Sequence, residues 1–155
     1  MALRRFALVY GLAFLLFGVL GFVPGVTSMS DGDPNLVVIG PGHGHLLHLF
    51  HVNVLHNAAH LLFGVLGLAC AATAPAARSY ARLVAVTYAL LTVMGLIPAW
   101  GTDFTFGLAP LHGNDVWLHA ILAVVAAYFG FVHPRLREVS DEQSSATTLT
   151  AQAVS

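Results

Sequence analysis

Residues 53–70 read NVLHNAAHLLFGVLGLAC. The run carries no Asp, Glu, Lys or Arg, yet its opening holds His56, Asn57 and His60. A spacing of four puts His56 and His60 on one face of a helix, one turn apart. Which solvent surrounds that helix decides the fold, and the composition of the whole chain answers the question. Of its 155 residues 57% are hydrophobic and 8% charged, and the mean hydropathy is +0.80. A soluble domain carries about a quarter charged residues. Lipid is therefore the expected solvent for most of the chain.

Working outward from 53–70, four apolar segments stand out, at about 6–24, 53–72, 81–99 and 115–132. Each is close to the roughly 20 residues that about 30 Å of hydrocarbon requires. The sequence predicts an all-α fold, an integral membrane four-helix bundle over residues 1–137 with an outer loop at 25–52. The alternative for the first segment, a cleaved signal peptide after Arg4 and Arg5, fits less well with a long apolar run that shares a repeat with a later helix. From about 138 onward the chain is polar, small and without aromatic residues, so disorder is expected there.

The arginines at 4, 5, 78, 82, 135 and 137 set the orientation, lysine being absent. With the N-terminus in the cytoplasm all six fall inside, which predicts a multi-pass inner-membrane protein with both termini cytoplasmic. A net charge of −1 offers no basic face for nucleic acid. The single cysteine, Cys70, has no partner for an internal disulfide and reads as packing filler.

LLFGVLG occurs twice, at 15–21 and 61–67, and VLGFVP at 19–24 resembles VMGLIP at 93–98. Sliding the second helix onto the fourth by 59 positions pairs His60 with His119, His56 with Asp115 and Asn53 with His112. The chain then reads as two tandem helical hairpins of the same orientation, related by a pseudo-twofold axis along the membrane normal. Glycines at 11, 18, 21, 64, 67 and 95, with alanines at 69, 123 and 126, supply small faces for close helix packing.

The FGVLGFVPG stretch at 17–25, the NVLHNAAHLLFGVLG start of the second helix and the NDVWLH start of the fourth resemble a family of small four-helix bacterial membrane proteins catalogued as a domain of unknown function. The resemblance covers about residues 5–134. It implies the four-helix membrane fold and brings no activity, and the histidines at 43, 45, 48 and 51 look like an addition to the family pattern.

Eight of the nine histidines fall on the predicted outer side, and only His133 on the inner. His43, His45, His48 and His51 belong to the loop, where they read either as a wet interfacial segment or, with His112, as a loose collector of Zn²⁺ or Cu²⁺. His56, His60, Asp115 and His119 are the sharper group. With helices capped by Asn53 and Asn114, His60 and His119 sit about 8–10 Å below the outer helix ends. A group at that depth is costly unless it faces the interior and finds a partner.

Several chemistries fit this group. His56, His60, Asp115 and His119 form a donor set for Zn²⁺ or Cu²⁺, with Asn57 or Trp117 to orient them. His60 and His119 alone are the axial pair a b-type haem needs. Hydrogen bonds across the helices, without any ligand, are the third reading. An outer cluster of imidazoles, with unperturbed pKa near ~6.5, also suits a sensor of outside acidity. The sequence has no GxSxG, HExxH, phosphate loop or CxxC, which argues against an enzyme. The expected function is ligand binding at an outer-facing histidine site within the bundle. The rival is an accessory subunit that packs its glycine faces against a membrane partner or a second copy.

Overall fold

The computed structural model describes residues 1–29, 35–38, 40–97, 102–133, 143–145 and 152. Four helices dominate: α1 (Ala2–Leu20), α2 (Val54–Cys70), α3 (Ala74–Leu96) and α4 (Asn114–Ala127), the last continued by a π-helical turn over Tyr128–Val132. Between α1 and α2 lie three short strands, β1 (Thr27–Met29), β2 (Gly44–Leu46) and β3 (Phe50–Val52). A kinked 3-10 turn at Thr102–Gly107 precedes α4. The all-α expectation is corrected accordingly: the chain is mostly helical with a small antiparallel sheet, and the predicted outer loop contains that sheet.

Helices α1, α3 and α4 with its π-helical continuation are long and apolar enough to cross a membrane, whereas α2 has 17 residues and is shorter. Leu12, Leu62, Val86 and Val124 are each more than half exposed on the outer helix faces. An apolar outside of that extent is what a lipid-facing surface requires. The chain is a multi-pass membrane protein.

The helix ends depart from the predicted ones for local reasons. Helix α1 stops at Leu20 rather than 24, because Pro24 cannot donate to a continuing helix and Gly25 turns at φ +88°. Helix α3 starts at Ala74 rather than 81, capped by the Thr73 hydroxyl, which accepts from the Ala76 N–H at 3.3 Å, with Pro75 in its first turn. Arg78 and Arg82 are therefore helical, and both donate through Nε to the Gly130 carbonyl, at 3.4 and 3.0 Å. Arg4 donates to the Ala71 carbonyl just past the end of α2, at 2.8 Å. The predicted helix end at 99 falls among residues 98–101, outside the described residues, as do Arg135, Arg137 and the tail from 138 apart from 143–145 and 152.

Helices pack in pairs, α1 against α2 and α3 against α4, with α1 also touching α3. The repeated heptapeptide has a packing reason. In the antiparallel α1–α2 pair the two copies interlock reciprocally: Gly64 faces Leu15 and Gly18 faces Leu61, each glycine of one copy meeting the first leucine of the other. A Cβ at Gly64 would lie 2.6 Å from Leu15 Cγ, and one at Gly18 2.8 Å from Leu61 Cδ2. Further down the pair, Gly11 and Gly67 meet backbone to backbone. Ala123 and Ala126 are buried in the core, whereas Ala69, assigned from sequence to the same small faces, is exposed. Between the pairs Tyr80 donates to the Phe63 carbonyl at 3.0 Å and Tyr10 to that of Leu122 at 3.3 Å.

The sheet runs in the order β1-β2-β3, with His45 opposite both Ser28 and His51. Asn53 locks it to the helices. Its Oδ1 accepts from the His56 N–H at 2.9 Å and caps α2, while its Nδ2 donates to the carbonyls of Val38 and Leu108 at 2.8 and 2.7 Å. Asn114, by contrast, is no cap: Gly113 holds that position, and Asn114 reaches the Leu49 carbonyl at 3.2 Å.

The β2–β3 turn is strained, since Leu47 and His48 adopt φ of +52° and +58°. Asparagine and glycine take that conformation readily, and other L-residues pay about 1 kcal/mol or more. Replacing Leu47-His48 by Asn-Gly is expected to stabilise the protein by about 1 kcal/mol. Thermal unfolding in detergent checks this, with a higher midpoint as the expected outcome.

Candidate functional site

Helices α2 and α4 enter the bundle beneath the sheet and bring His56, His60, Asp115 and His119 into its interior, all four buried. By the helical rise, His60 lies about 9 Å and His119 about 7.5 Å from the starts of their helices. The His56 ring packs edge-on to His60 with centroids 4.6 Å apart, and lies 6.2 Å from His119. An aromatic ring backs each of the deeper histidines. Phe14 of α1 stacks on His60 at 5.7 Å and Tyr88 of α3 meets His119 edge-on at 4.9 Å.

The polar atoms are only partly matched. The His56 ring donates to the Pro110 carbonyl, and Asp115 accepts the backbone N–H of His51. Nδ1 of His60, Nδ1 of His119 and Oδ2 of Asp115 are buried without a hydrogen-bond partner. Buried polar atoms are nearly always bonded, so three such atoms in one place mark a site with unused capacity.

Space adjoins them on two sides. A cavity of about 140 Å³ between α1 and α4, roofed by Leu46, Phe50 and Val52, has His56, His60, Asp115 and His119 on its wall. A second, of about 270 Å³ between α2 and α3 beneath Leu108–Leu111, is walled by His56, His60 and His119 from the other side. The three imidazoles thus form a partition between two largely apolar cavities. Val9 and Ala13 line the first and Leu55 and Ala59 the second, and all four are exposed on the bundle surface. Both cavities therefore open on the side of the bundle.

Among the described residues no group of three or more His, Cys, Asp or Glu side chains converges on a point that holds a metal ion. Nor do the supporting residues expected from sequence act as expected. Trp117 is exposed on the outer face, and Asn57 turns from the histidines to donate to the Gly42 carbonyl at 3.4 Å.

The loop histidines divide in a way the sequence reading missed. His45 and His48 are exposed and His112 is half-buried, but His43 and His51 are buried beneath the sheet. His45 and His48 are exposed, while the reading of all four as an open loop segment is corrected for His43 and His51. Pairing of β2 with β3 and their packing over the bundle enclose both rings, and no local pattern announces such non-local pairing. Phe14, Tyr88 and Pro110 were missed too. The first two left a signal, since each stands five residues before one of the matched segments VLGFVP and VMGLIP.

A family model described as a domain of unknown function (DUF4383) matches residues 4–132. No curated protein and no solved structure matches the chain.

Proposed function

We propose, from the premise that the chain belongs to the DUF4383 family, that this membrane protein binds a lipid-soluble, ring-bearing small molecule against His56, His60 and His119. One observation carries the reading: two sideways-opening apolar cavities share those three imidazoles. An apolar cavity of about 150 Å³ accepts a benzene-sized group, and the first cavity, at about 140 Å³, is of that order. A neutral imidazole offers one donor and one acceptor, so carbonyl or hydroxyl substituents on such a ring are matched by the unpartnered Nδ1 atoms of His60 and His119. Asp115 Oδ2 stands at the same wall. A hydrocarbon tail would leave past Val9 and Ala13 into lipid.

The site belongs to two tandem hairpins related by a pseudo-twofold along the membrane normal. In support, Phe14 with His60 and Tyr88 with His119 are matching pairs under the sequence offsets, and the α1–α4 and α2–α3 cavities exchange under the same relation. Both termini are cytoplasmic, a reading supported by Arg4, Arg78 and Arg82 at the end of the bundle opposite the sheet. The site then lies in the outer leaflet.

A second reading keeps the same residues and changes the ligand. A metal ion on His56, His60, Asp115 and His119, or haem iron between His60 and His119, would use the same unpartnered nitrogens.

The test is binding of a short-tailed p-benzoquinone to the detergent-purified full chain, followed by tryptophan fluorescence or calorimetry. Loss of one hydrogen bond of about 1.4 kcal/mol is tenfold in affinity. His60→Ala and His119→Ala are each expected to weaken binding about tenfold or more on that basis. Ala13→Phe, which fills the cavity and leaves the histidines in place, is expected to weaken it comparably. Equal affinity in wild type and the His60→Ala/His119→Ala double variant sinks the proposal. Bound metal, or a Soret band that disappears in that variant, moves the assignment to the second reading.

A further inference from the structure

The imidazole partition has two sides, and they differ in size, walls and roof. The α1–α4 cavity measures about 140 Å³ and the α2–α3 cavity about 270 Å³. We infer that the α2–α3 cavity is a second ligand site, taking a fused two-ring dione of the naphthoquinone type while the α1–α4 cavity holds a single-ring molecule, an assignment that rests on ligand binding against His56, His60 and His119.

Size sets the class. A cavity of about 150 Å³ accepts benzene, so the smaller one matches one ring and has no room for two fused rings. The larger, of nearly twice the volume, admits the fused pair. A single ring there would touch only part of the wall, and wall atoms facing a gap forfeit much of their dispersion energy. Apart from the imidazoles, Tyr88 and Thr105, that wall is apolar. An apolar body therefore suits it better than water, which needs two to four polar partners.

Each cavity has an aromatic ring of its own. Phe14, stacked on His60, lines the smaller cavity and not the larger, whereas Tyr88, edge-on to His119, lines the larger and not the smaller. Phe63, T-shaped to Tyr88 at 5.6 Å, adds a second aromatic wall to the larger one. The polar anchor is common to both sides. His60 and His119 are 9% and 3% exposed, and Nδ1 of each is buried without a hydrogen-bond partner. A neutral imidazole carries one donor. The two rings together thus supply one donor for a carbonyl oxygen in each cavity.

The roofs differ as well. Strands β2 and β3 cover the smaller cavity, and Thr105 with Leu108–Leu111 covers the larger. Thr105 and Phe106 adopt φ of +48° and +58°, a region that a β-branched residue rarely enters. Asn53 holds the Leu108 carbonyl at 2.7 Å. One edge of this roof is fixed and the other strained, and strain of this kind gathers at ligand clamps.

Sharing donors couples the two ligands. Each should weaken the other by no more than about tenfold, the worth of one hydrogen bond, and reciprocally. Rivals for one site would instead exclude each other without limit.

The experiment is calorimetric titration of the detergent-purified full chain with a short-tailed 1,4-naphthoquinone, alone and with a short-tailed p-benzoquinone at rising concentration. One naphthoquinone per chain is expected, with an apparent Kd that rises at most about tenfold and then reaches a plateau. Ala59→Phe, at an exposed position of α2 on the wall of the larger cavity, should lower naphthoquinone affinity about tenfold or more. It should keep benzoquinone binding, which also shows that the variant is folded. Ala13→Phe should do the reverse. Wild type that binds benzoquinone and no naphthoquinone overturns the second site and leaves the single-ring site standing. Displacement of naphthoquinone without a plateau overturns it too, because one site would then serve both rings. Loss of naphthoquinone binding in Ala13→Phe overturns it by placing that ligand in the smaller cavity. Binding of neither ring overturns this site together with the quinone reading on which it rests.

Discussion

Replacing Asn53 by alanine is expected to destabilise the protein by about 2 kcal/mol or more, from a lost helix cap of about 1 kcal/mol and two part-buried carbonyls that lose their donor. The side chain is fully buried and makes three hydrogen bonds of 2.7–2.9 Å, one to the start of α2 and two to segments that carry the sheet and the approach to α4. Asn53→Asp separates these contributions. Aspartate keeps the acceptor for the His56 N–H but sets an oxygen against the Val38 and Leu108 carbonyls, so it should cost at least as much as alanine. Unfolding in mixed detergent micelles measures both, and an aspartate variant as stable as wild type would show that the cap alone matters. Because His56 lies in the turn that Asn53 caps, both variants should also weaken ligand binding at the interior triad.

Gly67→Val is expected to cost about 4 kcal/mol or more, the upper range for forcing volume into a packed interface. A Cβ at residue 67 would stand 2.7 Å from Gly11 Cα and 2.8 Å from Tyr80 Oη. The first neighbour is backbone and cannot swing aside, so α1 and α2 must separate. The substitution also presses on Tyr80, whose hydroxyl ties α3 to the Phe63 carbonyl. Valine at Ala69, on the exposed face of the same helix, is the control and should cost well under about 1 kcal/mol. Equal losses at 67 and 69, read from the same micelle titration, would mean that helix propensity rather than close packing dominates.

How far the site was legible follows from which interactions are local. His56 and His60 share a face because they are four apart, and their depth in the bundle follows from the helix start at Asn53. Asp115 and His119 obey the same rule on α4. All four turned inward, as the cost of an ionisable group facing lipid requires. Asn114 looked as good a cap as Asn53, yet Gly113 took the position with φ +64°, a conformation imposed by the path of the preceding segment. The burial of His43 depends on strand pairing across a turn of two positive-φ residues, Leu47 and His48, whose side chains give no hint of it.

The sequence by itself determined the solvent, the four helices and the inward faces, because hydropathy, length and the 3.6-residue period act within a segment. It also held the reason for its own repeated heptapeptide, since glycines at 18 and 64 can face leucines at 61 and 15 only in an antiparallel pair. Only the tertiary structure decided that three imidazoles divide two cavities and that a small sheet encloses His43 and His51. Both depend on which segments meet, and the free energy of such a meeting belongs to the pair and is written in neither partner alone.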